Sequence, residues 1–320
     1  MKTMTTKTML ALGGFVATLT TAGALLAADY PSQRIEIIVP FDAGSGVDAG
    51  ARLLADSFKA TFGTDFTVLN VSGAGGTVGS QRLADASPDG LTLGYLPIGS
   101  AATQPHLRPL RYSNESFAPV CLTVKSPVAV MVNPDGPYQT MEQLIDAAKA
   151  GVINAGGPPP GSLPHAAQAA IAQLYGVEFN YVPFESGVGA VTAVKANDIA
   201  FTTEPFGTAS LVGLKPVAIL GPNRVEELPD VPSINEINAD SKMDFSIWFG
   251  LFAPAGTPEN IVSTLSDACG AATESASFVD GIKAINWNVK YLNAADFTTF
   301  FNEQYSSLGE LMKQLGMKNN

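Results

Sequence analysis

The sequence predicts an α/β protein built as two doubly wound lobes, joined by crossing strands, with a cleft between them. Three observations carry that prediction. Strand-like and helix-like segments alternate along the chain, the pattern of a mainly parallel sheet with helices on both faces. The 320 residues, less an apparent leader, suit two domains better than one. No flexible linker divides the halves, so the strand-like segments near 120–132 and 245–253 are the candidate crossovers that would make a hinge.

The elements follow in order. Lys2 and Lys7 precede an uncharged apolar stretch, Met9 to Leu26, and the small-residue sites Ala22-Gly23-Ala24 and Leu26-Ala27-Ala28. This is the pattern of a secretory signal over 1–28, cleaved near residues 24–28. Arg34 to Pro40 reads as a buried strand. Val47, Ala51, Leu54, Ala55, Phe58 and Phe62 then mark one helical face. Phe66 to Asn70 and Leu91 to Tyr95 read as strands around a helix at Gly75 to Ala86. In the middle, Val128 to Val132 is strand-like, and Thr140 with Gln143 has capping-box spacing. A Gly/Pro loop from Gly156 to Pro164 leads to a helix at His165 to Tyr175. Phe179 to Val182, Asp198 to Thr202 and Pro216 to Leu220 read as further strands. Pro258 starts a helix from its first position, and Asn293 caps another that carries Phe297, Phe300, Phe301, Leu308 and Leu311, read as core. The expected division is 29–127 plus 246–320 as domain 1 and 128–245 as domain 2.

Charge and composition exclude several classes. The net charge of −11 becomes −13 when Lys2 and Lys7 leave with the leader. No basic cluster invites nucleic acid or anionic lipid, so any anion must be held locally, by backbone amides. After the leader no run is long and apolar enough to span a bilayer. His106, His165, Cys121 and Cys269 lie too far apart in sequence to read as a metal set, and no cofactor is expected. Export would permit a disulfide, whereas Ile261, Leu265 and Cys269 share a helical face that suits a buried thiol; the sequence leaves both open.

The principal local feature is Val39-Pro-Phe-Asp-Ala-Gly-Ser-Gly-Val-Asp48, a glycine-bearing turn between a buried strand and a helix. Amides in such a turn, aided by the helix dipole, suit a carboxylate; an ordinary tight turn also wants glycine. Gly44, Gly46 and Gly50 are spaced one residue too long for a dinucleotide fingerprint, and the next strand ends in Asn70 rather than an acid. There is no P-loop. Ser45 lacks the first glycine of G-x-S-x-G, and His165 at a helix start reads as structural. A second glycine-rich turn runs from Asn70 to Gly76. Gly161-Ser162 and Glu185-Ser186-Gly187 follow strands, where doubly wound sheets bind ligands.

Taken in order, Tyr30-Pro-Ser-Gln-Arg-Ile, Val39-Pro-Phe-Asp-Ala-Gly, Gly73-Ala-Gly-Gly, Pro88-Asp-Gly-Leu-Thr-Leu, Gly161-Ser-Leu-Pro-His, Val182-Pro-Phe, Leu228-Pro-Asp-Val-Pro-Ser and Trp248-Phe-Gly-Leu-Phe-Ala-Pro-Ala-Gly-Thr-Pro258 resemble the solute-binding receptors of tripartite tricarboxylate transporters, the Bug or TctC family. The likeness covers essentially all of the chain after the leader. It implies a periplasmic binding protein-like fold of type II, a small carboxylate ligand, membrane permease subunits as partners, no catalysis and a monomer. It also implies a ligand site. The first loop supplies Phe41, Ala43, Gly44, Ser45, Gly46 and Asp48, and the second Gly161 and Ser162. Gly99 and Ser100 are neighbours, while Phe184, Ser186, Gly187, Thr202, Thr203 and Glu204 shape the far side.

This chain departs from the family pattern at four points. Glu185 follows Phe184 where the family usually has a basic residue, Thr202 stands where it often has Asp, and Ser45 replaces a glycine. Pro158, Pro159 and Pro160 remove amide donors from the second loop. These departures lean toward a monocarboxylate, or a ligand with a polar or cationic distal group. The expected mechanism is capture by closure of the cleft, driven by contacts to both lobes. The rival readings are a sensing receptor that feeds a signalling partner and, further off, a serine hydrolase.

Overall fold

The chain folds as a mixed sheet flanked by helices. The structure is a computed structural model that describes residues 30–31, 33–158, 160, 162–210, 212–226, 228–241, 243–285, 287–314 and 316–317. The leader read at 1–28 and Gly161 lie outside the described residues. The elements are β1 (Ile35–Val39), α1 (Gly46–Phe62), β2 (Phe66–Asn70), α2 (Thr77–Ala84), β3 (Thr92–Pro97), α3 (Gln104–Leu107), β4 (Phe117–Val132), α4 (Met141–Ala150), β5 (Ile153–Gly157), α5 (Leu163–Tyr175), β6 (Phe179–Pro183), α6 (Gly187–Lys195) and β7 (Phe201–Pro205). They continue with α7 (Phe206–Ser210), β8 (Lys215–Ile219), α8 (Ile234–Ile237), β9 (Ser246–Pro254), α9 (Glu259–Glu274), α10 (Ala276–Ala284), β10 (Val289–Leu292) and α11 (Ala294–Gln314). The strand order is β2-β1-β3-β9-β4-β7-β5-β6, with β8 and β10 paired to β4.

Local signals set these boundaries. Ser45 caps α1 by accepting the Asp48 N–H, and Gly63 ends it in the left-handed region at φ 66°, its N–H returning to Lys59 O. The buried side of α1 is Val47, Ala51, Leu54, Ala55 and Phe58, and it covers the strands beneath. One face of the last helix is core at Phe297, Phe301 and Leu308, as the spacing predicts, while Phe300 and Leu311 are half-buried and Met312 is the buried residue at its end. Phe297 and Phe301 are fully buried, and with Phe300 they surround the buried Trp248 at ring distances of 5.8–6.0 Å. Gly250 has to be glycine, because a Cβ there would lie 2.3 Å from the Phe297 ring.

Three sequence expectations need correction, and one question the sequence leaves open is answered. The sheet is not mainly parallel: β9 runs antiparallel to both β3 and β4, and β7 and β8 run antiparallel to β4. The C-terminal ends of the two groups of strands face each other, so a strand that crosses between the groups runs with one of them and against the other. The strand expected from Asp198 begins at Phe201, because Asn197 at φ 62° and the Asp198 N–H to Ala193 O first close off α6. Pro258 is the N-cap of α9 rather than its first helical residue. Cys121 and Cys269 form a disulfide that ties β4 to α9, with both residues fully buried.

Candidate functional site

Strand register determines which loops face each other. β4 is shared: residues 117–127 pair with β9, and 128–132 pair with β7 and partly with β8. The C-terminal end of β3, Pro97, is opposite Phe249, which is opposite Val124 of β4. The C-terminal end of β7, Pro205, is opposite Val128 of the same strand. β3 runs along β4 toward residue 128, and β7 runs against it toward residue 124. The two sets of strand ends therefore point at each other across four residues of β4, about 13 Å of strand. The helices that follow β1, β5 and β6, namely α1, α5 and α6, begin at that gap.

On the first side the loop from Phe41 to Ser45 is organised by Asp48. Its buried carboxylate accepts from Gly44 N–H (2.8 Å), Arg52 Nε (3.0 Å), Arg52 Nη2 (2.9 Å) and Asn70 Nδ2 (2.9 Å). Burial alone would raise its pKa; the hydrogen bonds from Arg52, Gly44 and Asn70 outweigh that and hold it below the usual range. Asn70 Nδ2 also donates to Phe41 O at 2.9 Å. Asp48 thus faces inward and shapes the loop. Gly44 at φ 86° directs its amide to Asp48, and Ser45 N–H returns to Asp42 O, so these two amides are used internally. The amides of Ala43, Gly46 and Val47 carry no hydrogen bond among the described residues, as the first turn of a helix requires for the last two. The Phe41 ring lies against Gly76, where an added Cβ would be 3.0 Å away, and Ser100 is 2.8 Å from the same point. Ser100 is buried and its carbonyl accepts from Tyr112 Oη at 2.6 Å. Gly99 faces open space, for a Cβ built on it meets nothing within 4 Å.

On the second side, Ser162 caps α5 and Ser186 caps α6. Pro164 has no amide, so α5 offers only Leu163 N–H, whereas α6 offers Gly187 and Val188. Thr202 Oγ1 donates to Gly156 O (2.7 Å) and Thr203 Oγ1 to Pro164 O (2.8 Å), so both hydroxyls brace neighbouring backbone. Phe184 covers Gly156 and Gly189. Glu204 is buried, and its carboxylate lies against Gly187 at the start of α6. Phe41, Ser100 and Gly76 come together on one side, and Phe184, Gly187 and Glu204 on the other.

Sequence reasoning missed Trp287. Its Nε1 lies 3.1 Å from a Cβ built on Gly46, at the mouth of α1, and its ring packs on Phe249 at 4.7 Å. It also missed the part played by Tyr181, which donates to Pro158 O and packs against the His165 ring in a tilted arrangement, with centroids 4.3 Å apart. Burial lowers the His165 pKa. Tyr181 lies in the strand read over Phe179 to Val182, where nothing marks its contacts; Trp287 belongs to no periodic pattern, and its one available signal was that it is among only two tryptophans.

Two strand groups on shared crossing strands, with helix N-termini facing across the gap, define a solute-binding protein of the periplasmic binding protein type. Residues 50–317 match the tripartite tricarboxylate transporter family receptor model, TctC. The chain belongs to that family, which is one of receptors and not of enzymes. It is similar to Protein BugT of Bordetella pertussis, 29% identical over 292 residues that cover 87% of this chain and 88% of BugT. Among solved structures it resembles a TctC solute-binding protein from Polaromonas, with 28% identity and a TM-score of 0.81 over 89% of this chain and 99% of that one. It also resembles MatC from Rhodopseudomonas palustris with bound malate, with 25% identity and a TM-score of 0.71 over 88% and 99% of the two chains. Among the described residues no helix is long and apolar enough to cross a membrane.

Proposed function

We propose that this chain is an exported receptor whose lobes, 29–127 plus 246–320 and 128–245, close on a small carboxylate and deliver it to a tripartite tricarboxylate-type permease. It works in the periplasm, as a monomer, after loss of residues 1–28. The observation that carries the reading is the opposition of strand ends across residues 124–128 of β4, which aims unpaired helix-start amides from both sides into one gap. The malate bound by MatC supports a carboxylate as the class of ligand. One lobe grips the acid through the amides of Ala43, Gly46 and Val47; Ser162 and the start of α6 close the other side. Charge-assisted hydrogen bonds of about 1.5–3 kcal/mol each make a few such contacts enough for micromolar capture.

The test is a thermal-shift and calorimetric screen of small carboxylates on the wild type and on Gly99→Leu. A ligand at about a hundred times its Kd adds about 2.7 kcal/mol of stability. Gly99 faces open space, so the leucine should leave the unliganded melting temperature unchanged while it blocks the gap and weakens binding at least tenfold. Binding of equal strength in both proteins would remove the gap from consideration, and no stabilisation by any carboxylate would remove the receptor.

A further inference from the structure

The start of α6 is a place where an anion would ordinarily sit, since a nine-residue helix ends there in free N–H groups. In this chain the place is already taken by the protein's own acid. Both carboxyl oxygens of Glu204 lie within 2.9 Å of a Cβ built on Gly187, the first residue of the helix, so only glycine leaves room for them. Glu204 is 3% exposed, and its Oε1 has no hydrogen-bond partner among the described residues. Among the described residues no cation pairs with it: Lys195, on the same helix but at its far end, pairs with Asp135, and Arg52 of the first side is held by Asp48. Among the described residues the titratable group coupled to Glu204 is Tyr181 on β6, against which His165 of α5 packs in a tilted arrangement.

A buried carboxyl with a vacant acceptor oxygen and no protein partner is costly unless something supplies the missing donor. A second ligand carboxylate would meet the ionised Glu204 as a like charge, and would be accommodated only while Glu204 keeps its proton as the single donor between them. An N–H cation would meet it as a complement, while the ligand's own carboxylate stayed with the amides at the start of α1. The geometry points to Glu204 as a specificity-determining residue that selects acids carrying a protonated nitrogen at the end opposite their carboxylate. This assignment rests on the receptor reading above and sharpens it. Burial pushes the Glu204 carboxyl up to about 8, so at pH 7 the empty site holds it largely protonated. Capture of an ammonium then expels that proton.

The experiment is titration calorimetry of the full chain and of Glu204→Gln against three matched series of four to six carbons: ω-amino acids, fatty acids and α,ω-dicarboxylates. In the wild type the best ω-amino acid should bind at least tenfold tighter than its fatty-acid and dicarboxylate counterparts. Its heat at pH 7 should vary with buffer ionisation enthalpy, in line with release of close to one proton. In Glu204→Gln the preference over the fatty acid should fall at least tenfold and proton release should vanish, while fatty-acid affinity stays within about threefold. That last measure shows that the variant is folded and its first-side amides intact. Tighter binding of a dicarboxylate, or an amino-acid preference that survives in Glu204→Gln, would overturn the role of Glu204 and leave the receptor intact. Absence of binding by all three series would overturn both.

Discussion

Replacing Asp48 by alanine should destabilise the protein and loosen the grip of the first loop together. The carboxylate accepts four hydrogen bonds from three residues, and bonds to a charged group are each worth about 1.5–3 kcal/mol when buried. The sum overstates the loss. Arg52 is half exposed and returns to water, as does the exposed Gly44 amide, and Asn70 keeps its bond to Phe41 O. A net cost of about 2 kcal/mol remains. In urea, with a slope of about 3 kcal/mol/M, that moves the midpoint down by about 0.7 M at unchanged slope. The sign of the pH dependence follows from the depressed carboxyl. Its contribution is present above the unfolded value of about 3.9 and is lost as pH falls through the lower folded value. The urea midpoints of wild type and variant should therefore converge below about pH 4. Because Asp48 fixes the loop that presents Ala43 and Gly46, carboxylate affinity should drop at least tenfold. A variant within 0.5 kcal/mol of wild type that binds with unchanged affinity would refute the organising role.

Three other perturbations follow from the same coordinates. Cys121→Ala with Cys269→Ala opens a loop with a sequence separation of 148, for which chain entropy sets an upper cost of about 5 kcal/mol; chemical denaturation of oxidised, reduced and mutant protein should show a loss of several kcal/mol, and a loss below about 1 kcal/mol contradicts it. Ser45→Ala removes the N-cap of α1 and should cost about 1 kcal/mol. Because its hydroxyl is spent on Asp48 N–H, ligand affinity measured by calorimetry should change less than threefold; a hundredfold loss would mean that Ser45 touches the ligand. Gly250→Ala puts a methyl 2.3 Å from Phe297 and should cost about 1–3 kcal/mol by overpacking, visible as a lower melting temperature; a neutral result would mean that the aromatic cluster is loosely packed.

Much of the fold could be read locally, because caps, periodic apolar faces and glycine turns are local signals. α1 is the clear case, with Ser45 before it, Gly63 after it and Val47, Ala51, Leu54 and Phe58 along it. β7 was misplaced because Asp198-Ile-Ala has strand-like composition, while the left-handed Asn197 holds those residues in the turn that ends α6. The disulfide stayed open because a buried thiol and a buried half-cystine leave the same apolar periodicity in α9. The glycine loop at Phe41 to Asp48 was legible, but the inward direction of the Gly44 and Ser45 amides was not, since it depends on Asn70 and Arg52 gathering around Asp48. Trp287 was invisible for a similar reason: it reaches Gly46 only after the chain has travelled through both strand groups.

β4 is one unbroken strand that serves two sets of partners. Ladder hydrogen bonds lie across a strand and resist sliding along it, but a strand twists readily about its own axis. Under the closure proposed above, this geometry would turn motion between the halves into rotation, so that a small twist near Lys125 and Ser126 would swing distant loop tips and leave the local ladder in place. Ligand chemistry can then be revised at the tips by exchanging single loop residues while the axle that carries them stays the same.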